Sequence, residues 1–313
     1  IAGVILNQLG GSRHEAKLRS VLEHYTDVRV IGGVHRHPEL EIIERHLGLI
    51  PSNEEDASTS RIRQIREIIS GEVDLDALLT VADSSPLQYE PISAVATATA
   101  DRVRIAIAQD TAFGFYYPDD LIALEQAGAE LVRINTLADT SLPDVDGLFI
   151  GGGFPETQMQ ALSANVAMRE QVRAAIANGL PAYAECGGLM YLCRSLRWQG
   201  LHYEMTGVIP ADCVMHERPQ GRGYVRLRET AAMPWAGPRP DGEIAAHEFH
   251  YSALENITEP LTFAYDVMRG AGVDGDHDGI VINNLLASYT HMRDTRQHHW
   301  ARRFVDYARR CRG

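Results

Sequence analysis

The chain opens on an apolar run, IAGVILNQL over residues 1–9, of the kind that lies in a sheet covered on both faces. Gly10, Gly11 and Ser12 break it, and a helical pattern follows from about His14 to Tyr25. A second strand is expected over Val28–Gly32, then helices over Pro38–Leu47, 58–70 and Val73–Val81, with 58–70 amphipathic. Residues 83–101 carry neither period and are rich in Ser, Pro, Ala and Thr, which predicts a linker.

Beyond the linker the pattern restarts. A strand over Val103–Ala108 leads to a helix over 118–128, with Pro118 in its first turn, Asp119 and Asp120 suited to its positive end and Gly128 closing it. Strands over Glu130–Ile134 and Gly147–Ile150 follow, the latter running into Gly151-Gly152-Gly153-Phe154-Pro155-Glu156. A helix over 164–178, a strand over 181–184 and a helix to about Arg194 complete an order that suits a doubly wound sheet with its site at the strand carboxyl ends. From Met205 to Tyr289 short strand-like runs dominate, and His298–Arg312 closes the chain as a helix. The expected division is two α/β domains, residues 1–97 and 98–313.

Cys186 stands where the strand PAYAE meets the helix beginning Gly187-Gly188. A cysteine on so tight a strand-to-helix turn projects from the sheet as a nucleophile, and the helix start favours its anion. Such a thiol needs a base and backbone donors for an oxyanion. His291, at the end of the strand ASYTH, supplies an imidazole; the N–H of Gly187 with that of Gly152 or Gly153 supplies the donors.

Net charge is −13, which argues against nucleic acid or an anionic membrane surface as partner. No run is long and apolar enough to span a bilayer and no leader is visible, so a soluble cytoplasmic protein is expected. Of the four cysteines, Cys193 and Cys311 read as small apolar residues on helices and Cys213 lies near a strand; no disulfide framework is expected. Lys17 is the only lysine and has no glycine-rich loop before it, so the chain holds no phosphate-cradling Gly-x-x-x-x-Gly-Lys loop.

Other candidates are weaker. His247 and His250 are three apart in a predicted strand, not four apart on a helix, so no metal site is assigned. With Tyr251 they line a candidate substrate surface, joined by Tyr116 and Tyr117 before a helix and by Arg218 and Arg222 beside a glycine turn, where a guanidinium can pair with a carboxylate. Asp274–Gly279 mimics the start of a calcium loop but has Leu285 at position twelve, and reads as a hairpin turn.

These pieces occur in a fixed order: GVILNQ (3–8), HLGLIP (46–51), FGFYYPDDL (113–121), GGGFPE, LSAN (162–165), AECGGLMYL, RPQGRGYV (218–225), HEFHYS and ASYTH. Over nearly its whole length the chain resembles the cobyrinic acid a,c-diamide synthase family. The resemblance implies a partial dethiobiotin-synthetase-like, P-loop-type α/β domain followed by a class I glutamine amidotransferase domain of flavodoxin-like α/β fold. Cys186 would attack L-glutamine and release ammonia with His291 as base and then acid. ATP with Mg2+ would activate a tetrapyrrole a or c side-chain carboxylate as an acyl phosphate, and Asn7 resembles the adenine-reading asparagine of such ATP domains. The protein would serve cobalamin biosynthesis, with a homodimer left open.

Two departures matter. The phosphate loop is missing, so the chain reads as beginning partway through the ATP domain. Many class I enzymes carry His-x-Glu, whereas His291-Met292-Arg293 stands here, leaving either a Cys-His dyad or an orienting residue elsewhere. The stretch RGAGVDGDHDG (269–279) looks more like relatives that amidate sirohaem or nickel sirohydrochlorin. A tetrapyrrole-binding or regulatory protein without a working ATP half is the alternative from another class.

Overall fold

Buried β-branched and small residues build the largest sheet of the computed structural model, whereas the opening strand, expected to be covered on both faces, buries only Leu9; the structure describes residues 1–41, 55–84, 102–235 and 242–312, with side chains from residue 59 in the second stretch. The chain divides into two units, Ile1–Ala94 and Val95–Gly313. Among the described residues no helix is long and apolar enough to cross a membrane.

In the first unit β1 (Val4–Leu9) pairs in parallel with β2 (Val30–His35), connected by α1 (Ser12–Tyr25). Helices α2 (Glu55–Glu72) and α3 (Leu75–Asp83) follow, the second capped by Asp74, whose carboxylate accepts from Ala77 N at 2.9 Å. The second strand thus lies two residues later than its pattern suggests. The helix expected over Pro38–Leu47 starts as a single 3₁₀ turn, Pro38–Leu40, and Glu41 is already extended. The rest of that segment, the HLGLIP motif and most of the predicted linker (85–101) lie outside the described residues.

The second unit comprises β3 (Val103–Ala108), β4 (Phe113–Phe115), α4 (Pro118–Gln126), β5 (Ala129–Ile134), β6 (Gly147–Ile150), β7 (Gly152–Gly153), α5 (Met159–Ala164), α6 (Val166–Ala177), β8 (Ala182–Glu185) and α7 (Gly187–Leu192). Then come β9 (Cys193–Trp198), β10 (Leu201–Glu204), β11 (Ile209–Met215), β12 (Gly221–Glu229), β13 (Ile244–His250), β14 (Ser252–Glu255), β15 (Thr262–Arg269), β16 (His277–Ile282), β17 (Leu285–Ser288) and α8 (Trp300–Cys311).

Nine strands form one mixed sheet in the order β13-β12-β15-β16-β17-β8-β6-β3-β5. From β17 to β5 every pairing is parallel, and from β17 back to β13 every pairing is antiparallel. Strands β6, β8 and β17 are buried at every position, because helices cover both faces. One core joins Ala106, Leu148, Ile150, Val172, Ile176 and Leu189. The opposite core joins Ile105, Phe149, Tyr183, Trp235, Trp300 and Phe304. A smaller sheet, β10-β9-β11-β14, flanks the first.

Two sequence expectations change here. The helix expected over 164–178 is α6 and starts two residues later, because Asn165 ends the separate α5 before it and caps α6 by accepting from Met168 N at 3.3 Å. The helix after Cys186 stops at Leu192, and Cys193 begins β9, which pairs with β10 and β11. Cys193 is therefore a buried strand residue, and Cys311 is exposed at the end of α8.

Candidate active site

Strand β8 delivers Cys186 to the carboxyl end of the parallel half of the sheet. Its backbone turns through φ 47° and ψ −99°, a strained conformation for a residue with a Cβ. The turn is held on both sides: Cys186 N donates to Ser288 O at 2.7 Å, and Met190 N donates to Cys186 O at 3.0 Å to start α7. Gly188 lets α7 sit against β6, since a Cβ there would lie 2.1 Å from Ile150 O. Only 6 % of Cys186 is exposed, with Sγ 4.0 Å from Phe249 O.

His291 reaches the thiol because the segment after β17 is anchored. Asp278, fully buried, accepts from Gly279 N at 2.8 Å, Tyr289 N at 3.1 Å and Thr290 N at 3.0 Å, and from the Thr290 hydroxyl. Burial pushes the Asp278 carboxyl up, against the pull of those donors. His291 Nδ1 lies 3.5 Å from Glu185 Oε2. Burial pulls its pKa down, but hydrogen bonds and charge from Cys186 and Glu185 prevail and raise it to about 10. Glu185 itself is 4 % exposed, and its Oε1 accepts from Tyr183 OH at 2.6 Å and Met292 N at 3.0 Å.

The three glycines converge on this pair. Strand β7 pairs with β4, setting Gly152 against Phe115 and Gly153 against Phe113. A Cβ on Gly152 would lie 2.7 Å from Cε1 of His291; one on Gly153 would lie 2.0 Å from Ala112 O. Gly187 abuts the same loop, a Cβ there falling 2.9 Å from Gly153 N.

The remaining candidates divide. Tyr116 is turned inward, donating to Ala108 O at 2.5 Å and accepting from Gly151 N at 3.0 Å, so it braces the glycine loop instead of offering its hydroxyl to a ligand. Tyr117 OH meets His247 Nε2 at 3.0 Å. Arg293 lies 4.0 Å over the Tyr117 ring and 3.3 Å from Asp119. The neighbouring Asp120, pushed up to about 6 by burial, accepts from Asp294 N at 2.9 Å. His247 and His250 stand on opposite faces of β13, by strand alternation. His250 is buried, stacked 3.9 Å from Tyr289 with Nδ1 2.8 Å from Ser252 O, and is thus part of the core. Tyr251 packs at 5.8 Å on Phe249, and the Arg222 guanidinium lies 5.4 Å from that same ring. Asn7 belongs to the first unit, where with Val34, His35, His37, Leu40 and Ile69 it lines a cavity of about 630 Å³. Among the described residues no cluster of His, Cys, Asp and Glu could hold a metal ion. Asp274 closes the β15–β16 turn by accepting from Asp276 N at 3.0 Å and His277 N at 2.7 Å.

Sequence reasoning missed two features. Glu185 was signalled by an acid ending an otherwise apolar strand. On β12 the exposed residues Arg222, Tyr224, Arg226 and Arg228 alternate with buried Val225 and Leu227, a period-two signal that places three arginines and a 79 %-exposed tyrosine on one face. Arg222 and Tyr224 lie opposite Phe249 and His247.

The model of the CobB/CobQ-like glutamine amidotransferase domain matches residues 104–297, more than half of the chain. The chain is 42 % identical over 307 residues to the cobyrinate a,c-diamide synthase of Magnetococcus marinus, covering 96 % of this chain and 65 % of that protein. It is 39 % identical over 336 residues to the synthase of the same name from Methanosarcina acetivorans, covering 100 % of this chain and 67 % of that one. It thus spans about two thirds of the length of these relatives. Among solved structures, PurLQS from Thermotoga maritima is similar in fold, with a TM-score of 0.51 at 14 % identity over 66 % of this chain and 98 % of that one. With its elbow cysteine, anchored histidine and mixed sheet, the chain belongs to the CobB/CobQ-like glutamine amidotransferase family.

Proposed function

We propose that this chain provides the glutaminase of an ATP-dependent synthase that amidates tetrapyrrole a and c carboxylates, of the cobyrinate a,c-diamide synthase type. The observation that carries this reading is Cys186 at a strained elbow bonded through its backbone to Ser288, three residues before His291, with the glycine loop packed against that imidazole. His291 takes the proton of the Cys186 thiol, and its raised pKa favours holding it. The thiolate attacks the side-chain carbonyl carbon of glutamine, and the oxyanion turns toward the N–H groups of Gly187 and Gly152 or Gly153. His291 gives its proton to the leaving nitrogen, so the C–N bond breaks, ammonia departs and a thioester remains. His291 then takes a proton from water as that water attacks the thioester, releasing glutamate and restoring Cys186.

The first unit is the counterpart of a dethiobiotin-synthetase-like ATP domain in this reading. The cavity at Asn7 has apolar walls from Val34, Leu40 and Ile69 and polar groups at Asn7, Gln8 and His35, a combination that fits a flat heteroaromatic base. Asn7 Oδ1 accepts from Gln8 N at 2.8 Å, which fixes the turn of its amide. ATP with Mg2+, when bound, supplies activation of the acceptor carboxylate by phosphoryl transfer. The arginines of β12 suit a macrocycle bearing several carboxylates. The reaction belongs in the cytoplasm, where ATP and glutamine are available.

The test compares wild type and Cys186→Ala in the full-length gene product with ATP and cobyrinate. Glutamine should support amidation only in wild type, whereas ammonium should support it in both. Glutamine-dependent amidation that survives Cys186→Ala would refute the assignment. Sirohydrochlorin-type substrates in the same assay decide the acceptor.

A further inference from the structure

Two positions after the base stands Arg293, so a His-x-Glu pair cannot orient His291. Arg293 faces away to other work, over Tyr117 and against Asp119. The parallel pairing of β8 with β17 sets Glu185 beside Ser288, three residues before the base, and brings its carboxylate to the imidazole.

We propose that Glu185, the residue immediately before the nucleophile, is the positioning carboxylate of this glutaminase, holding His291 by Nδ1 and balancing its imidazolium charge. The inference rests on the glutaminase reading given above. The two oxygens of Glu185 are divided between tasks. Oε1 is occupied by Tyr183 OH and Met292 N, which fix the carboxylate; Oε2 faces Nδ1 of His291 at 3.5 Å. A carboxylate this deeply buried and served only by neutral donors would be costly; a cation beside it offsets the loss of water. With Nδ1 directed to a carboxylate, the ring is held in one orientation and its remaining edge serves the thiol and the leaving group.

The charged and titratable groups around the pair are the Cys186 thiol itself, Tyr183 on β8, Asp120 on α4, Tyr117 before it, His247 on β13, Tyr265 on β15, Tyr116 and Arg293. Of these only Arg293 is a fixed cation, and it is engaged with Tyr117, Asp119 and Asp120. His247 is held below its usual pKa, first by burial and then by the charge of His291, so it opposes a second positive charge instead of sharing the first.

The experiment uses Glu185→Gln and Glu185→Asp with two readouts. Glutamine hydrolysis should lose on the order of 10²- to 10⁴-fold in kcat in Glu185→Gln with KM little changed, and Glu185→Asp should recover part of it. The titration midpoint of His291, followed by NMR of labelled histidine and identified by its loss in His291→Gln, should fall in Glu185→Gln. A folded Glu185→Gln with an unmoved midpoint or a wild-type kcat overturns the proposal. If Glu185→Gln does not fold, Glu185→Asp carries the test, because withdrawing the carboxylate by one methylene should lower both kcat and the midpoint, and an unmoved midpoint again overturns it. Should wild type fail to hydrolyse glutamine, the glutaminase reading falls, while the midpoint, read without turnover, still decides whether Glu185 and His291 are coupled.

Discussion

The imidazole of His247 lies nearly flat against that of His291, with ring centroids 5.1 Å apart and planes 15° from parallel. Their backbones bridge reciprocally, His291 N to His247 O at 2.8 Å and His247 N to His291 O at 3.4 Å. The edge of the antiparallel half-sheet thereby supplies one wall of the base. His247→Ala should lower glutamine kcat about fivefold, the loss of roughly 1 kcal/mol of ring stacking. His247→Phe should keep most of it. An unchanged kcat in His247→Ala would show that the stack does not position the base.

Protonation of His291 links the site to stability. Its folded pKa of about 10 exceeds the ordinary histidine value of about 6.5. A raised pKa contributes stability that is full below the unfolded value and is lost as pH rises through the folded one. Urea unfolding of wild type should therefore become easier between pH 7 and pH 10, and His291→Gln should show a shallower decline over that window. Parallel declines would remove His291 as the source.

Asp278 lies behind the base without touching it and organises Tyr289 and Thr290 by their backbone donors. Asp278→Ala leaves several buried donors without their acceptor, so a loss of about 3 kcal/mol is expected in the urea midpoint. Glutaminase activity of the remaining folded protein should fall as well, since His291 loses its anchor. Stability loss with full activity per folded molecule would separate the anchor from the site.

Gly153 has no room for a methyl group against Ala112 O. Gly153→Ala should cost about 1–3 kcal/mol as the loop shifts. If its loop supplies an oxyanion donor, kcat should also fall on the order of 10²- to 10³-fold. Thermal denaturation and glutamine hydrolysis together check it; a stability loss without a kcat loss would leave the loop only a packing role.

Much of the parallel half was legible because each of its signals is local. Apolar runs mark strands buried on both faces, Pro118 and Gly128 bracket a helix, and paired glycines mark where the chain turns beneath a nucleophile. Where local signals compete, they misled. The α7 pattern reads on through Cys193, but strand pairing with β11 takes that residue into a sheet. Asn165 inside a helical pattern is a cap, because its side chain competes for backbone donors. Tyr116 and His250 look like ligands for substrate until packing shows both hydrogen-bonding to their own backbone neighbourhood.

The sequence by itself determined the candidate nucleophile and its elbow, because an elbow is a matter of a few consecutive residues: a strand, Cys186 and two glycines that permit the turn and its close packing. It also named His291 as a base at a strand end. Only the tertiary structure decided what surrounds that candidate base. The register of β8 against β17 puts Glu185 beside His291, the pairing near the end of β13 puts His247 over its face, and Asp278 clamps the backbone between them. Glu185 and His291 are far apart along the chain, and no period or propensity links them. Their meeting depends on which strands pair and in which register, a choice made by burial of the whole sheet.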